Sequence, residues 1–253
     1  KKILGFAAHE IQRFELRGTG GHNVQAERKE GQWLVKNAAG ASYPGDLEGI
    51  DQWLSGLQSL NAKGFAIATD LSGSKPVGDI LFVQEVLGDK GAKKSVEHRL
   101  KVTEKSGKDK SIHVYAQVAG NETIYEVEEN VRTRFAKSAS DFRQAKLLTS
   151  LERYAMTRME WKGKALGAAS LAAESKDGKW MLNGKPLDAG RASSVLDAFS
   201  NNRVTKFLEG TAIPAGEGTG IQVTLSDDKK EKVREFAFWK SGSRVLARDL
   251  RSP

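Results

Sequence analysis

Apolar and polar residues alternate over residues 11–17, with Phe14 and Leu16 on one face and Arg13 and Glu15 on the other. That period of two predicts a half-buried strand. Residues 156–162 repeat the pattern. Met159 and Trp161 stand where Phe14 and Leu16 stand, and Arg158 and Glu160 match Arg13 and Glu15. The matched polar faces predict a cross-strand ion pair, an exposed interaction of about 0.2–1 kcal/mol that speaks more for common origin than for stability.

A second pair of stretches makes the duplication plainer. Lys29-Glu30-Gly31-Gln32-Trp33-Leu34-Val35 returns as Lys176-Asp177-Gly178-Lys179-Trp180-Met181-Leu182. A charged pair, a Gly and a Trp opening an apolar run predict a tight hairpin feeding a strand whose Trp packs inward. After each hairpin the period changes to that of a helix. Asp46 is a candidate N-cap for a helix reaching about residue 60, with Leu47, Ile50, Leu54 and Leu57 on one stripe. The later helix carries Ala192, Val195 and Phe199, and Asn201-Asn202 ends it. Trp53 lies beside the first stripe, either as core flank or as a contact for a partner.

Each unit then closes with a meander. In the first, 100–103 leads to 112–118, turns at Gly120-Asn121 and returns over 123–127. In the second, 222–225 leads to 233–239, turns at Gly242 and returns over 244–250. Residues 68–97 find no counterpart in the second copy and are read as an insertion, either the place of a copy-specific function or a loop elongation, with a short strand or helix near 80–87 bounded by Pro76-Val77-Gly78 and Gly88-Asp89. In the connector of residues 135–148, Ser138 or Ser140 can cap a short helical turn. Lys146-Leu147-Leu148 echoes Lys2-Ile3-Leu4, so the second unit begins there. The expected fold is α+β, in two tandem repeats. The first covers 1–143 and the second, shorter one 144–253. Each carries an antiparallel sheet of about four or five strands with one amphipathic helix packed on it.

Composition narrows the function classes. Of 253 residues, 39% are hydrophobic and 28% charged, and no apolar run is long enough to span a membrane as a helix. The first residue is Lys1, which predicts that an upstream piece, a signal or an anchor, has been removed. No cysteine is present, which excludes disulfides, thiolate metal sites and cysteine nucleophiles. The net charge of +8 is scattered among acidic neighbours, as in Lys108-Asp109-Lys110 and Asp227-Asp228-Lys229. That is a solvated surface rather than a stripe for nucleic acid.

Catalytic patterns are absent from the sequence. Gly18-Thr19-Gly20-Gly21 and the glycines of 216–220 lack the helix that a phosphate-binding loop needs, and read as hairpin loops. The histidines, His9, His22, His98 and His113, share no metal-ligand spacing. His113 alternates against Ile112 and Val114, which puts it on the outer face of a sheet. No Gly-x-Ser-x-Gly elbow occurs. The expectation is a protein that is not an enzyme and holds no cofactor or metal.

Taken together, Gln32-Trp33-Leu34, residues 54–60, 114–127 and 138–148, and the shorter copy over 156–250 resemble the domain-of-unknown-function 4340 family. The resemblance implies one N-terminal membrane anchor followed by an extracytoplasmic repeat region. It also implies an auxiliary component of ABC-type transport systems of the gliding-motility kind, facing the periplasm, with an ABC-type permease or related component as partner. The long 68–97 stretch departs from a symmetrical repeat. Two functions are expected from these residues. One is a scaffold that binds a protein partner through sheet edges and outer faces. The other is a module that binds a cell-envelope glycan, peptide or lipid between the units, with Trp53, Tyr43 and Trp239 as contact residues.

Overall fold

Every strand ladder among the described residues of the computed structural model is antiparallel, as hairpin-linked alternating segments require. Those residues are 1–18, 23–87, 92–163, 170–208, 220–229 and 233–251. The loop expected at 18–21 and that at 216–220 therefore lie outside them, apart from Gly18 and Gly220, as does His22. The chain divides into two units, Lys1–Gln144 and Ala145–Pro253.

The first unit runs β1 (Ile11–Gly18), β2 (Asn23–Lys29), β3 (Gln32–Lys36), β4 (Ser42–Pro44), α1 (Leu47–Gln58), β5 (Gly64–Ala66), β6 (Lys75–Leu87), β7 (Lys93–Ser106), β8 (Ile112–Val118), β9 (Ile124–Val127) and α2 (Ala139–Phe142). Its nine strands lie in the order β4-β3-β2-β1-β6-β7-β8-β9-β5. Glu30 and Gly31 both have positive φ, 51° and 80°, which makes the β2–β3 connection a two-residue type I′ turn. Trp33 follows it into the core with 1% of its surface exposed. Asp46 caps α1 by accepting from the Gly49 N–H at 3.2 Å. Ile50, Trp53, Leu54 and Leu57 then face the sheet. Leu47, expected on that stripe, is 43% exposed because it stands in the first turn, and Trp53 is buried in its stead. Around Trp53 the rings of Phe14 and Phe142 each approach to 4.9 Å.

The second unit runs α3 (Ser150–Ala155), β10 (Arg158–Lys162), β11 (Leu171–Lys176), β12 (Lys179–Leu182), β13 (Lys185–Leu187), α4 (Ala189–Asn201), β14 (Ile221–Ser226), β15 (Val233–Ser241) and β16 (Arg244–Asp249). Its seven strands lie in the order β13-β12-β11-β10-β14-β15-β16. Asp177 and Gly178 repeat the type I′ turn with φ of 49° and 75°. Asp188 caps α4 by accepting from the Arg191 N–H at 2.9 Å. Ala192, Leu196 and Phe199 are buried, and Asn202 ends the helix. The entering segments also behave alike. Ile3 N donates to Leu60 O and Leu148 N donates to Phe199 O, both at 3.1 Å.

Both sheets are larger than the expected four or five strands. The stretch 68–97 is not a loop elongation, because all of β6 and the start of β7 fall within it, and these two strands sit at the centre of the first sheet. Pro76 and Gly78 looked like loop punctuation, yet they flank a β-bulge against β7. The expected meander correspondence also shifts by one strand. Residues 222–225 belong to β14, which lies beside β10 as β6, not β7, lies beside β1. The polar face of β1 is paired along the strand, Arg13 to Glu15 at 3.7 Å. On β10, Arg158 reaches Glu160 at 2.7 Å and Glu174 of the neighbouring β11 at 3.3 Å.

Candidate functional site

The three aromatic candidates fall in different settings. Trp53 is 7% exposed, and its Nε1 donates to the carbonyl of Arg134 at 3.2 Å. A ring so enclosed helps hold the first core and offers a partner no surface. Tyr43 sits half-buried on the edge strand β4, with the Arg143 guanidinium carbon 3.6 Å from its ring centroid, a cation–π stack. Trp239, on β15, is half-buried opposite Leu246 of β16, and its buried Nε1 has no hydrogen-bond partner among the described residues. Tyr43 and Trp53 belong to the first unit and Trp239 to the second.

One constellation with the look of chemistry does assemble, at the β7–β8 turn. His113 takes the outward place that alternation assigns it. Its Nε2 lies 3.1 Å from Ser111 Oγ and its Nδ1 lies 3.0 Å from Glu126 Oε1. A hydroxyl, an imidazole and a carboxylate in that sequence have the distances of a nucleophile, its base and the group that orients the base. The spacing Ser111-x-His113 carries a trace of it, since residues two apart on a strand share a face. Glu126 arrives from β9 and is invisible to local spacing.

The hydroxyl proton decides what this group can do. Ser111 Oγ is 2.6 Å from Asp109 Oδ1, much the shorter of its two contacts. A serine has one proton to donate, and a carboxylate can only accept it. The Ser111 hydroxyl bond, and next the Ser111 N–H at 3.0 Å, hold the Asp109 carboxyl below the usual range. With the proton committed to Asp109, the Ser111 oxygen turns a lone pair, not a hydrogen, toward His113. The base then has no proton to remove. The turn is closed by further bonds, from Gly107 N to Ser111 O and from Lys110 N to Gly107 O. The cluster ties a hairpin.

An open recess of about 290 Å³ lies at the ends of β1, β6 and β7, lined in part by Arg17, Asp79 and Lys101. Its one carboxylate, Asp79, is engaged by Arg99 at 3.0 Å. No group of three or more His, Asp and Glu side chains among the described residues could hold a metal. No described helix is long and apolar enough to cross a membrane.

The sheet edges are the less ordinary feature. Four strands end the two sheets: β4, β5, β13 and β16. Phe65 on β5 is 65% exposed and Val245 on β16 is 73% exposed, large apolar side chains left bare on edge strands.

Two antiparallel sheets with few helices define an α+β protein. The family described as a domain of unknown function (DUF4340) matches residues 82–232, more than half the chain, and the chain belongs to that family. No curated protein and no solved structure matches it.

Proposed function

We propose that this chain is a non-enzymatic, extracytoplasmic scaffold or auxiliary module that binds a protein partner, an ABC-type permease or a related membrane component. The observation that carries the reading is the bare apolar side chains on edge strands of both sheets, Phe65 and Val245. Edge strands with unpaired amides and exposed apolar groups are liabilities in a free protein and assets in one that docks. The Ser111 cluster supports the non-enzymatic side of the reading, because its hydroxyl proton is held by Asp109.

The two units are, in this reading, tandem copies of one ancestral unit. Support comes from the shared strand order, the paired type I′ turns before Trp33 and Trp180, and the Asp caps at 46 and 188. Two units that share turns and caps, but no reactive side-chain cluster among the described residues, fit a scaffold better than a catalyst. The test is co-purification from native membranes with the full-length protein as bait, mild crosslinking and mass spectrometry. Recovery of a permease or ATPase supports the reading. Recovery of the bait alone overturns it.

A further inference from the structure

We propose that the outer edge of β16 is a strand-acceptor site. It takes, by antiparallel addition, an extended segment of alternating apolar and acidic residues, as β8 takes β9 in the first unit. The proposal rests on the partner-binding reading and names the surface and the chemistry of the partner.

The ladders bring equivalent places into view. Across the first sheet Leu16, Ile80, Leu100 and Val118 lie side by side. Across the second, Trp161, Val223, Phe236 and Asp249 hold the same places. Further back along the fourth strand, Val114 and Ala116 of β8 therefore correspond to Val245 and Ala247 of β16. Val114 and Ala116 are each 1% exposed, whereas Val245 is 73% exposed and Ala247 is exposed too. The first sheet continues past β8 with β9, where Val127 pairs with Val114 and Tyr125 with Ala116. The second sheet ends at β16.

The backbone is poised for such an addition. Leu250 N donates to Glu235 O at 2.8 Å, so residues 244, 246 and 248 bond inward to β15. The amides of Val245, Ala247 and Asp249 point outward. The other sheet ends are blunted. β4, β5 and β13 are three residues each, and β4 and β13 carry Pro44 and Pro186. β16 has six residues and no proline. Short strands and prolines are the usual protection of an edge, and β16 has neither.

Charge selects the occupant. Arg244 and Arg248 share the other face of β16, are exposed, and have no ion pair among the described residues. Arg244 corresponds to His113, which is the residue that Glu126 of β9 reaches at 3.0 Å. An incoming strand with an acidic residue in that place would meet a guanidinium instead of an imidazole. The segment 124–129, Ile-Tyr-Glu-Val-Glu-Glu, is the chain's own example of the required pattern.

The experiment titrates the full chain into a fluorescein-labelled peptide of residues 123–129 and reads anisotropy. Saturable binding is expected, weakened at least tenfold by Ala247→Pro, which removes one outward N–H that β15 does not use. Arg244→Glu should weaken it several-fold, with recovery when the peptide's central Glu is replaced by Lys. Equal binding to Ala247→Pro of native thermal stability, or no saturable binding to the wild type, overturns the proposal. So does a dimer by light scattering that Ala247→Pro abolishes, which would assign the edge to a second copy. Arg244→Glu, a surface change, keeps the test alive if the proline variant misfolds. Ala247→Pro in the crosslinking experiment separates the two claims. A permease recovered in equal yield leaves the partner reading standing and removes this site. Peptide binding with no partner recovered does the reverse.

Discussion

The indole Nε1 of Trp33 donates to Asp51 Oδ1 at 3.2 Å, so the tryptophan that opens β3 is bonded to the helix that covers it. The same carboxylate accepts from Arg28 of β2, whose Nη2 lies 3.0 Å from both oxygens. Helix and hairpin are thus tied at the rim of the core by one carboxylate that serves both partners.

Removing that ring should be costly. Trp33→Ala leaves a cavity beside Phe14 and is expected to destabilise the first unit by about 3–5 kcal/mol. Asp51→Ala leaves the indole N–H without its partner and should cost about 1–3 kcal/mol. Urea unfolding of both variants, followed by tryptophan fluorescence, checks the order of the two.

The type I′ turns are not built from their best residues. Glu30 and Asp177 occupy a left-handed conformation that asparagine adopts more readily. Glu30→Asn and Asp177→Asn are each expected to stabilise the protein by about 0.5–1 kcal/mol, since the turn already exists and only its strain is relieved. Thermal melts of the single and double variants measure this, and the two gains should add.

Gly78 sits where β6 meets the end of β1. A Cβ there would lie 2.5 Å from Arg17 O and 3.0 Å from Phe135 Cδ1. Gly78→Ala should therefore cost about 1–3 kcal/mol through a forced backbone shift. Gly31→Ala meets nothing within 4 Å, and its cost comes from the positive φ alone. Gly78 has a positive φ as well, 158°, so comparing the two by denaturant titration measures what the clash adds to a conformational cost.

The Ser111 cluster makes a pH prediction. The Asp109 carboxyl is held below its ordinary range by the Ser111 hydroxyl and N–H. Because the folded value is depressed, the turn's added stability is fully present above the ordinary carboxylate value. It is lost as pH falls through the lower, folded one. Carboxyl titration by NMR should place Asp109 below a free aspartate, and Ser111→Ala should bring it back up. A fluorophosphonate probe should leave Ser111 unlabelled, and labelling that Ser111→Ala abolishes would refute the tether.

What could be read from the chain was what depends on neighbours in sequence. The Lys-Glu-Gly and Lys-Asp-Gly turns, the cap at Asp46 and the strand periods all carry their own local chemistry. The long β6 was hidden because its bulge at Pro76–Gly78 breaks the alternation, so one strand reads as two fragments and a loop. The place of β14 beside β10 was hidden for another reason: which strands pair is decided by long-range packing, and apolar segments of similar length are interchangeable to the eye. The same limit applied to Glu126, which reaches His113 only once β8 and β9 lie side by side. Helical periodicity leaves Trp53 between flank and contact, because it gives direction without saying what lies opposite. Phe14 and Phe142 supply that answer.

The β6–β7 ribbon also sets where the first unit gives way. β1 lies along only 78–84 of β6, and β8 reaches no further along β7 than Leu100. Among the described residues, the strand segments 85–87 and 93–95 therefore pair only with each other, and Leu87 is 77% exposed. A lone hairpin is marginal in water. Amide protection should decline stepwise outward from Phe82, and a protease should clip these segments while the rest of the unit stays folded. The sheet thus has a rigid middle and a sacrificial extremity, both drawn from the same two strands.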